Sequence, residues 1–316
     1  MRPKVYIDGQ AGTTALRIRE WLAGRSDIEL VTLPEALRKD DSARREILSA
    51  ADLAILCLPD EAARVAARWA REGGTRVLDA STAHRVADGW VYGMPELASD
   101  LRACIREAEC VANPGCYPTG FVLLIAPLVR AGLIEPTAPL TCHALSGYTG
   151  GGRAMIERWE DPETKLLSSL FEAPYAVERV HKHVPEMVTY GGLAREPYFV
   201  PAVGPFRTGM RVQVPIHADL LRGATARRIG EVLQEAYAGE RFVEVFAAAE
   251  PVKLEERSLD PRACNDTNRI ALHVLPHPSG HVLLVAILDN LGKGASGAAI
   301  QNMNLMLGFP EDLGLV

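Results

Sequence analysis

Apolar runs and helical periodicity alternate along the first part of the chain. PKVYID (3–8) is a short β-rich run that ends in a glycine turn, and TALRIREWLA (14–23) follows with helical spacing. IELVTL (28–33) predicts a second strand. ADLAILCLP (51–59) is continuously apolar, as a parallel strand buried on both faces must be. DEAARVAARWARE (60–72) predicts a helix starting near Pro59 or Asp60, and TRVLDAS (75–81) and ECVANP (109–114) predict further strands. Strands that alternate with helices imply βαβ units, hence an α/β, doubly wound parallel sheet of the nucleotide-binding kind.

The pattern then changes. YFVPAVG (198–204), MRVQVPIHADL (210–220), FVEVFA (242–247), RIALHVLP (269–276) and HVLLVAILDN (281–290) are strand-like, with HPSG (277–280) as a hairpin turn between the last two. Helices look sparse here; TARRIGEVLQEAYAG (225–239) is the clearest. This predicts a second, α+β domain on a mixed or antiparallel sheet. The small-residue helix of the tail, GASGAAIQNMNLMLG (294–308), would return to cover the first domain. The predicted division is 1–115 plus 294–316 for the nucleotide domain, and 116–293 for the substrate and oligomerisation domain.

Composition narrows the function classes. The 316 residues, 48% hydrophobic and 23% charged, suffice for two ordinary globular cores. A net charge of −6 argues against nonspecific nucleic-acid binding. There is no apolar run of membrane-span length, and MRPKVYIDGQ enters a strand without a signal-peptide core. The six cysteines form no CxxC pair or disulfide framework, so a reduced, cytoplasmic protein is expected.

Two stretches carry candidate chemistry. IDGQAGTTA (7–15) follows the first strand, so Gly9 and Gly12 would permit a tight turn and close approach of a pyrophosphate to a helix N-terminus. The spacing is GxxGxxA, with Ala15 at the third glycine position, and a plain strand-to-helix turn has the same pattern. After the second strand come Pro34 and Glu35, then Arg38 and Lys39. The two cations suit the 2′-phosphate of NADP, or simply a solvated helix face.

In VANPGCYPTG (111–120), Cys116 stands at the start of a helix predicted over 117–131. Helix N-termini stabilise thiolates, and prolines are tolerated in a first turn. Cys57, Cys104, Cys110, Cys142 and Cys264 read as small buried hydrophobes. A nucleophilic thiol needs an acid–base partner, and HKHVPEM (181–187) supplies His181, Lys182, His183 and Glu186 together. The HxH pair is also a possible metal ligand set, although no HExxH or cysteine pair accompanies it. His84, His143, His217, His273, His277 and His281 are more isolated and read as structural or surface residues. SGYTGGGR (146–153) is a second glycine-rich loop, suited to wrapping a substrate or cofactor, or merely to turning the chain.

With GQAGTT, STAHR, YGMPEL, NPGCYPT, SGYTGGGR, HKHVPEM and DNLGKGASGAAIQNMNLM in order, the chain resembles the short form of the N-acetyl-γ-glutamyl-phosphate reductase family over nearly its whole length. The wider superfamily includes aspartate-semialdehyde dehydrogenase. The resemblance implies NADPH-dependent reduction of N-acetyl-L-glutamyl 5-phosphate to the 5-semialdehyde, in arginine biosynthesis, through a cysteine thioester. It implies Cys116 as nucleophile, with His181 or His183 as the acid–base group. Gly9, Ala11, Gly12, Thr13 and Thr14 would line the NADP phosphates, with Ser81 and Asn290 elsewhere on the cofactor. Arg85, Arg153, Lys182 and Glu186 are candidates for the substrate, and Asn113 for the oxyanion. A homo-oligomer, dimer or tetramer, is expected. The rivals are aspartate-semialdehyde dehydrogenase, a Cys–His hydrolase, and a nucleotide-binding sensor without chemistry.

Overall fold

The computed structural model describes residues 2–9 and 12–316. They form two compact units, Met1–Pro114 with Ala295–Val316, and Gly115–Gly294.

The first unit opens β1 (Lys4–Asp8), α1 (Thr13–Trp21), β2 (Glu29–Val31), α2 (Asp41–Ala50), β3 (Leu53–Leu56), α3 (Asp60–Glu72), β4 (Arg76–Asp79), β5 (Val91–Tyr92), α4 (Leu101–Glu107) and β6 (Cys110–Ala112). All strand pairs are parallel, in the order β2-β1-β3-β4-β6-β5. Leu53–Leu56 is buried at every position, as its unbroken apolar run predicts. α3 lays Ala63, Ala66, Ala67 and Ala70 inward at helical spacing. α2 is absent from the periodicity reading because its ten residues bury only Leu48, but it has a start signal, Asp40 accepting from Ala43 N–H at 2.7 Å. The strand order reverses direction between β1 and β3, which makes their carboxyl ends the crevice where α/β sheets bind ligands.

The second unit contains α5 (Cys116–Arg130), β7 (Thr141–Gly147), α6 (Gly152–Glu160), α7 (Leu166–Ser169), β8 (Ala173–Pro174), α8 (Val184–Gly191), β9 (Tyr198–Gly204), β10 (Met210–Ile216), α9 (Ala226–Ala236), β11 (Val243–Ala247), β12 (Ile270–Pro276) and β13 (Val282–Leu288). The sheet is mixed, in the order β11-β12-β13-β10-β7-β9-β8, with β11–β12 and β7–β9 parallel and the other pairs antiparallel. The hairpin at 277–280 closes with His277 N–H on His281 O at 2.9 Å. Helices are less sparse here than the sequence pattern suggests. α6 starts directly on the glycines of 150–152, and α8 starts inside the polar HKHVPEM stretch, where Pro185 falls in the first turn and breaks no hydrogen bond.

α5 is buried from Tyr117 to Leu128 and packs on β10, β13, α8 and α9. Gly120 lets it approach the sheet, since a Cβ there would lie 2.9 Å from a Val212 methyl. Pro127 deprives the Leu123 carbonyl of its helical donor, and the buried Tyr237 hydroxyl donates to that carbonyl instead, at 2.6 Å.

After a π-turn at Gly292–Ser296 the chain rejoins the first unit as α10 (Gly297–Leu307), which packs on α1, α4 and β4. Its buried amides donate into the unit: Gln301 to Glu96, Asn302 to the Gly93 carbonyl, and Asn304 to the Leu313 carbonyl. No helix among the described residues is long and apolar enough to cross a membrane.

Tyr237→Phe leaves the buried Leu123 carbonyl without its donor, so urea unfolding is expected to show a loss of about 1–3 kcal/mol. Unchanged stability would mean that the hydroxyl contributes nothing to α5.

Candidate active site

In the first unit, a cleft of about 730 Å³ opens at the β1/β3 crevice. Asp8, Gly9 and Gly12 line one side, Cys57, Leu58 and Pro59 another, and Glu35, Arg38, Lys39 and Arg44 the rim. Gly9 has φ +85°, and a Cβ there would stand 2.2 Å from the Cys57 carbonyl oxygen. Only glycine fits that turn. Gly12 caps α1, whose first turn contains no carboxylate and no side-chain cap. Its first-turn N–H groups thus meet no side-chain acceptor from their own helix, the arrangement that suits a dinucleotide pyrophosphate. Thr13 and Thr14 form the first residues of α1 and are half-buried; Ala11 lies outside the described residues. Asp8 binds inward, accepting from Gly9 N–H at 3.0 Å and pairing with Arg44 at 2.8 Å. Arg38 and Lys39 stay exposed on the rim. Cys57 is a bystander, its thiol pushed up to about 12 by burial.

The STAHR loop is internally braced. Ser81 donates to Asp79 at 2.7 Å, and His84 meets the same carboxylate at 2.6 Å while stacking on Trp90 at 3.9 Å. Arg85 is buried and donates to the Asn113 and Ala80 carbonyls at 2.9 and 3.1 Å. These two bonds brace backbone on either side of the loop. Asn113 likewise engages its amide with Ala295 O and Asn302.

In the second unit the nucleophile candidate is built by α5. Gly115 is the N-cap residue and Cys116 the first helical residue, with no acidic residue in the first turn. The half-buried thiol thus sits at the positive end of a 15-residue helix. Gly294 backs it: a Cβ at 294 would come within 2.8 Å of the Cys116 Cβ. Tyr117 is buried beside it, and the Tyr175 hydroxyl meets the Tyr117 hydroxyl at 3.1 Å. Burial pushes the Tyr117 phenol well above its ordinary value and Tyr175 up to about 12, so both remain neutral donors.

The two histidines are brought into this cluster. His181 packs edge-on against Tyr117, Tyr175, Phe199 and His183, at ring separations of 5.9, 5.7, 5.3 and 4.8 Å. Its Nδ1 accepts the His183 N–H at 3.2 Å, which assigns the proton of the neutral ring to Nε2. Burial, aided by the charges of Lys182 and Arg179, lowers its pKa to about 4. The ring is therefore a neutral donor at physiological pH. Lys182 is exposed, whereas Glu186 is 1% exposed and accepts the Gly115 N–H at 2.9 Å. A carboxylate so held does not face a substrate. Arg153 is on the exposed face of α6, paired with Glu157 at 2.7 Å. Asn290 is also internal, taking the Gly209 N–H at 2.8 Å and donating to Thr149 at 3.1 Å, which pins the SGYTGGGR loop. Among the described residues no cluster of three His, Cys, Asp or Glu is arranged to hold a metal.

Comparison with known proteins shows the family. Residues 8–103 match the family model described as semialdehyde dehydrogenase, NAD binding domain, and residues 116–290 match semialdehyde dehydrogenase, dimerisation domain. N-acetyl-gamma-glutamyl-phosphate reductases are similar throughout: that of Trichormus variabilis is 45% identical over 99% of both chains, and that of Sinorhizobium medicae 49% identical over 97% of this chain and 99% of its own. The chain belongs to the N-acetyl-gamma-glutamyl-phosphate reductase family. Aspartate semialdehyde dehydrogenase II from Vibrio cholerae shares the fold of this chain (TM-score 0.72, covering 98% of this chain and 99% of that one) at only 19% identity. The enzyme from Candida albicans, solved with NADP, superposes with a TM-score of 0.63 at 13% identity, covering 97% and 99%.

Two residues had no assigned role in the sequence reading: Gly294, lying within the DNLGKGASG motif, and Phe199, on a strand. Gly294→Ala pushes a methyl against the nucleophile, and misplacement of about 1 Å typically costs on the order of 10² in rate. Turnover is expected to fall by at least tenfold with little change in thermal midpoint. Undiminished turnover would show that Cys116 tolerates displacement.

Proposed function

We propose that the chain reduces N-acetyl-L-glutamyl 5-phosphate to N-acetyl-L-glutamate 5-semialdehyde and phosphate, using NADPH, as a cytoplasmic step of arginine biosynthesis. The observation that carries this reading is the thiol of Cys116 at an uncapped helix N-terminus, backed by Gly294 and grouped with the His181 cluster. The reductase names of relatives at 45–49% identity support the substrate.

The Cys116 thiolate attacks the acyl carbon; the carbon–oxygen bond to phosphate breaks, phosphate leaves, and a thioester remains on sulfur. The dinucleotide, when bound, supplies the hydride that reduces the acyl group. First-turn N–H groups of α5 offer partial positive charge to the substrate oxygen as it gains negative charge. We assign the histidine role to His181 rather than His183: its neutral ring, tautomer set by the His183 N–H, can donate an Nε2–H hydrogen bond to that oxygen as it gains charge, and the proton stays on the ring. Collapse then breaks the carbon–sulfur bond and returns the thiolate. Exposed Lys182 is the remaining candidate cation for the substrate phosphate or carboxylate.

Gly9, Gly12 and the start of α1 would hold the pyrophosphate, and Arg38 and Lys39 the 2′-phosphate that separates NADP from NAD. The match to a dimerisation domain supports a homo-oligomer.

Cys116→Ser substitutes a hydroxyl of far higher pKa, so turnover is expected to fall by at least 10³ while the nucleotide still binds. Retained turnover would rule out covalent catalysis. In an NMR titration the His181 ring, assigned by comparison with His181→Asn, is expected to protonate only as pH falls to about 4. Protonation near 6.5 would show that burial leaves the ring unperturbed.

A further inference from the structure

Glu186 has no part in the chemistry above, yet it is among the most deeply buried charged groups of the second unit, 1% exposed in the first turn of α8. Its Oε2 accepts the N–H of Gly115, the residue that caps α5, across a separation of 71 residues. Gly115 is gripped from its other side as well, because its carbonyl accepts both the N–H and the hydroxyl of Thr119 at 2.9 Å. The residue preceding the nucleophile therefore has its donor and its acceptor fixed by different elements. Two turns of this kind settle the direction from which α5 begins, and with it the direction of the Cys116 side chain.

We propose that Glu186 is a positioning residue for the thiol: its carboxylate, by holding the Gly115 N–H, sets the attitude of Cys116. α8 is the natural anchor. It begins immediately after His181 and His183 and packs along α5, so one short helix fixes the histidines at its start and the nucleophile through its third residue. A carboxyl side chain is expensive to bury unless it is hydrogen-bonded, and this one is committed to the backbone of the residue before the thiol. That use points to geometry rather than electrostatics as its contribution. A helix N-cap amide is also a donor that nothing within α5 can satisfy, so removing the acceptor leaves a buried N–H without its partner. The role rests on Cys116 being the nucleophile, but it concerns the sulfur's placement and is readable without substrate.

The decisive comparison uses Glu186→Gln, Glu186→Asp and Glu186→Ala in the full chain. Glutamine keeps the reach and an acceptor oxygen but removes the charge; aspartate keeps the charge and loses the reach. Two readouts are taken: the rate of Cys116 alkylation by iodoacetamide in the absence of substrate and cofactor, and the separate kcat and KM of turnover. Glu186→Gln is expected to stay within about threefold of wild type in alkylation and kcat. Glu186→Asp and Glu186→Ala are expected to lose tenfold or more in kcat, with KM changed less than about threefold and alkylation altered in parallel. If glutamine fails as badly as alanine, or if aspartate and alanine match wild type, the positioning role is overturned. Should alanine fail to fold, the glutamine–aspartate contrast decides alone. Failure of the thioester scheme would show differently, as turnover that survives in Cys116→Ser.

Discussion

A helix cannot satisfy its own first-turn amides, and the second unit is organised around that constraint at one place, the start of α5. The chain seats a thiol there instead of a capping side chain. Proline at 118 removes one N–H from the set that would need a partner, and the Glu186 side chain takes the Gly115 N–H. The rest of α5 is apolar on nearly all sides, so it is buried against β10, β13, α8 and α9 and does not shift. Its one internal defect, the proline at 127, is repaired by the Tyr237 hydroxyl. Rigidity of the helix body is what makes the partial charge at its end useful to a reacting group.

The same physics recurs in the first unit in a different form. α1 also begins without a side-chain cap or an acidic first turn, and Gly9 adopts a conformation closed to other residues because the Cys57 carbonyl stands against it. Each unit thus presents a helix N-terminus with no side-chain cap and no acidic residue in its first turn. Semialdehyde dehydrogenases at under 20% identity share this two-domain fold.

Much of this was legible in the amino-acid sequence because it is local. The buried strand LAIL, the glycine turn after β1, the alternating strands β9 to β13 and the hairpin at 277–280 all declare themselves through neighbouring residues. β7 did not, since its inward residues are Cys142, Ala144 and Ser146, too small and polar to show an apolar alternation. α8 was masked by the polar histidine stretch at its start. Arg85, Glu186 and Asn290 were expected as ligands from the family resemblance; the structure shows them also bonded to the Asn113 carbonyl, the Gly115 N–H and the Gly209 N–H, contacts that span 28 to 81 residues and that only the fold brings together. Gly294 is the converse case, a residue with no side chain that is constrained by the atoms of Cys116 and the Asp289 carbonyl beside it.

All of this converges on sulfur at position 116 carrying the acyl group. Rapid quenching of the enzyme with N-acetyl-L-glutamyl 5-phosphate in the absence of reductant, followed by peptide mass spectrometry, observes that species directly. A mass increase of one N-acetylglutamyl group on the peptide containing Cys116, discharged when NADPH is added, is the expected result. An unmodified peptide under conditions where phosphate is released, or an adduct on another residue, would contradict it.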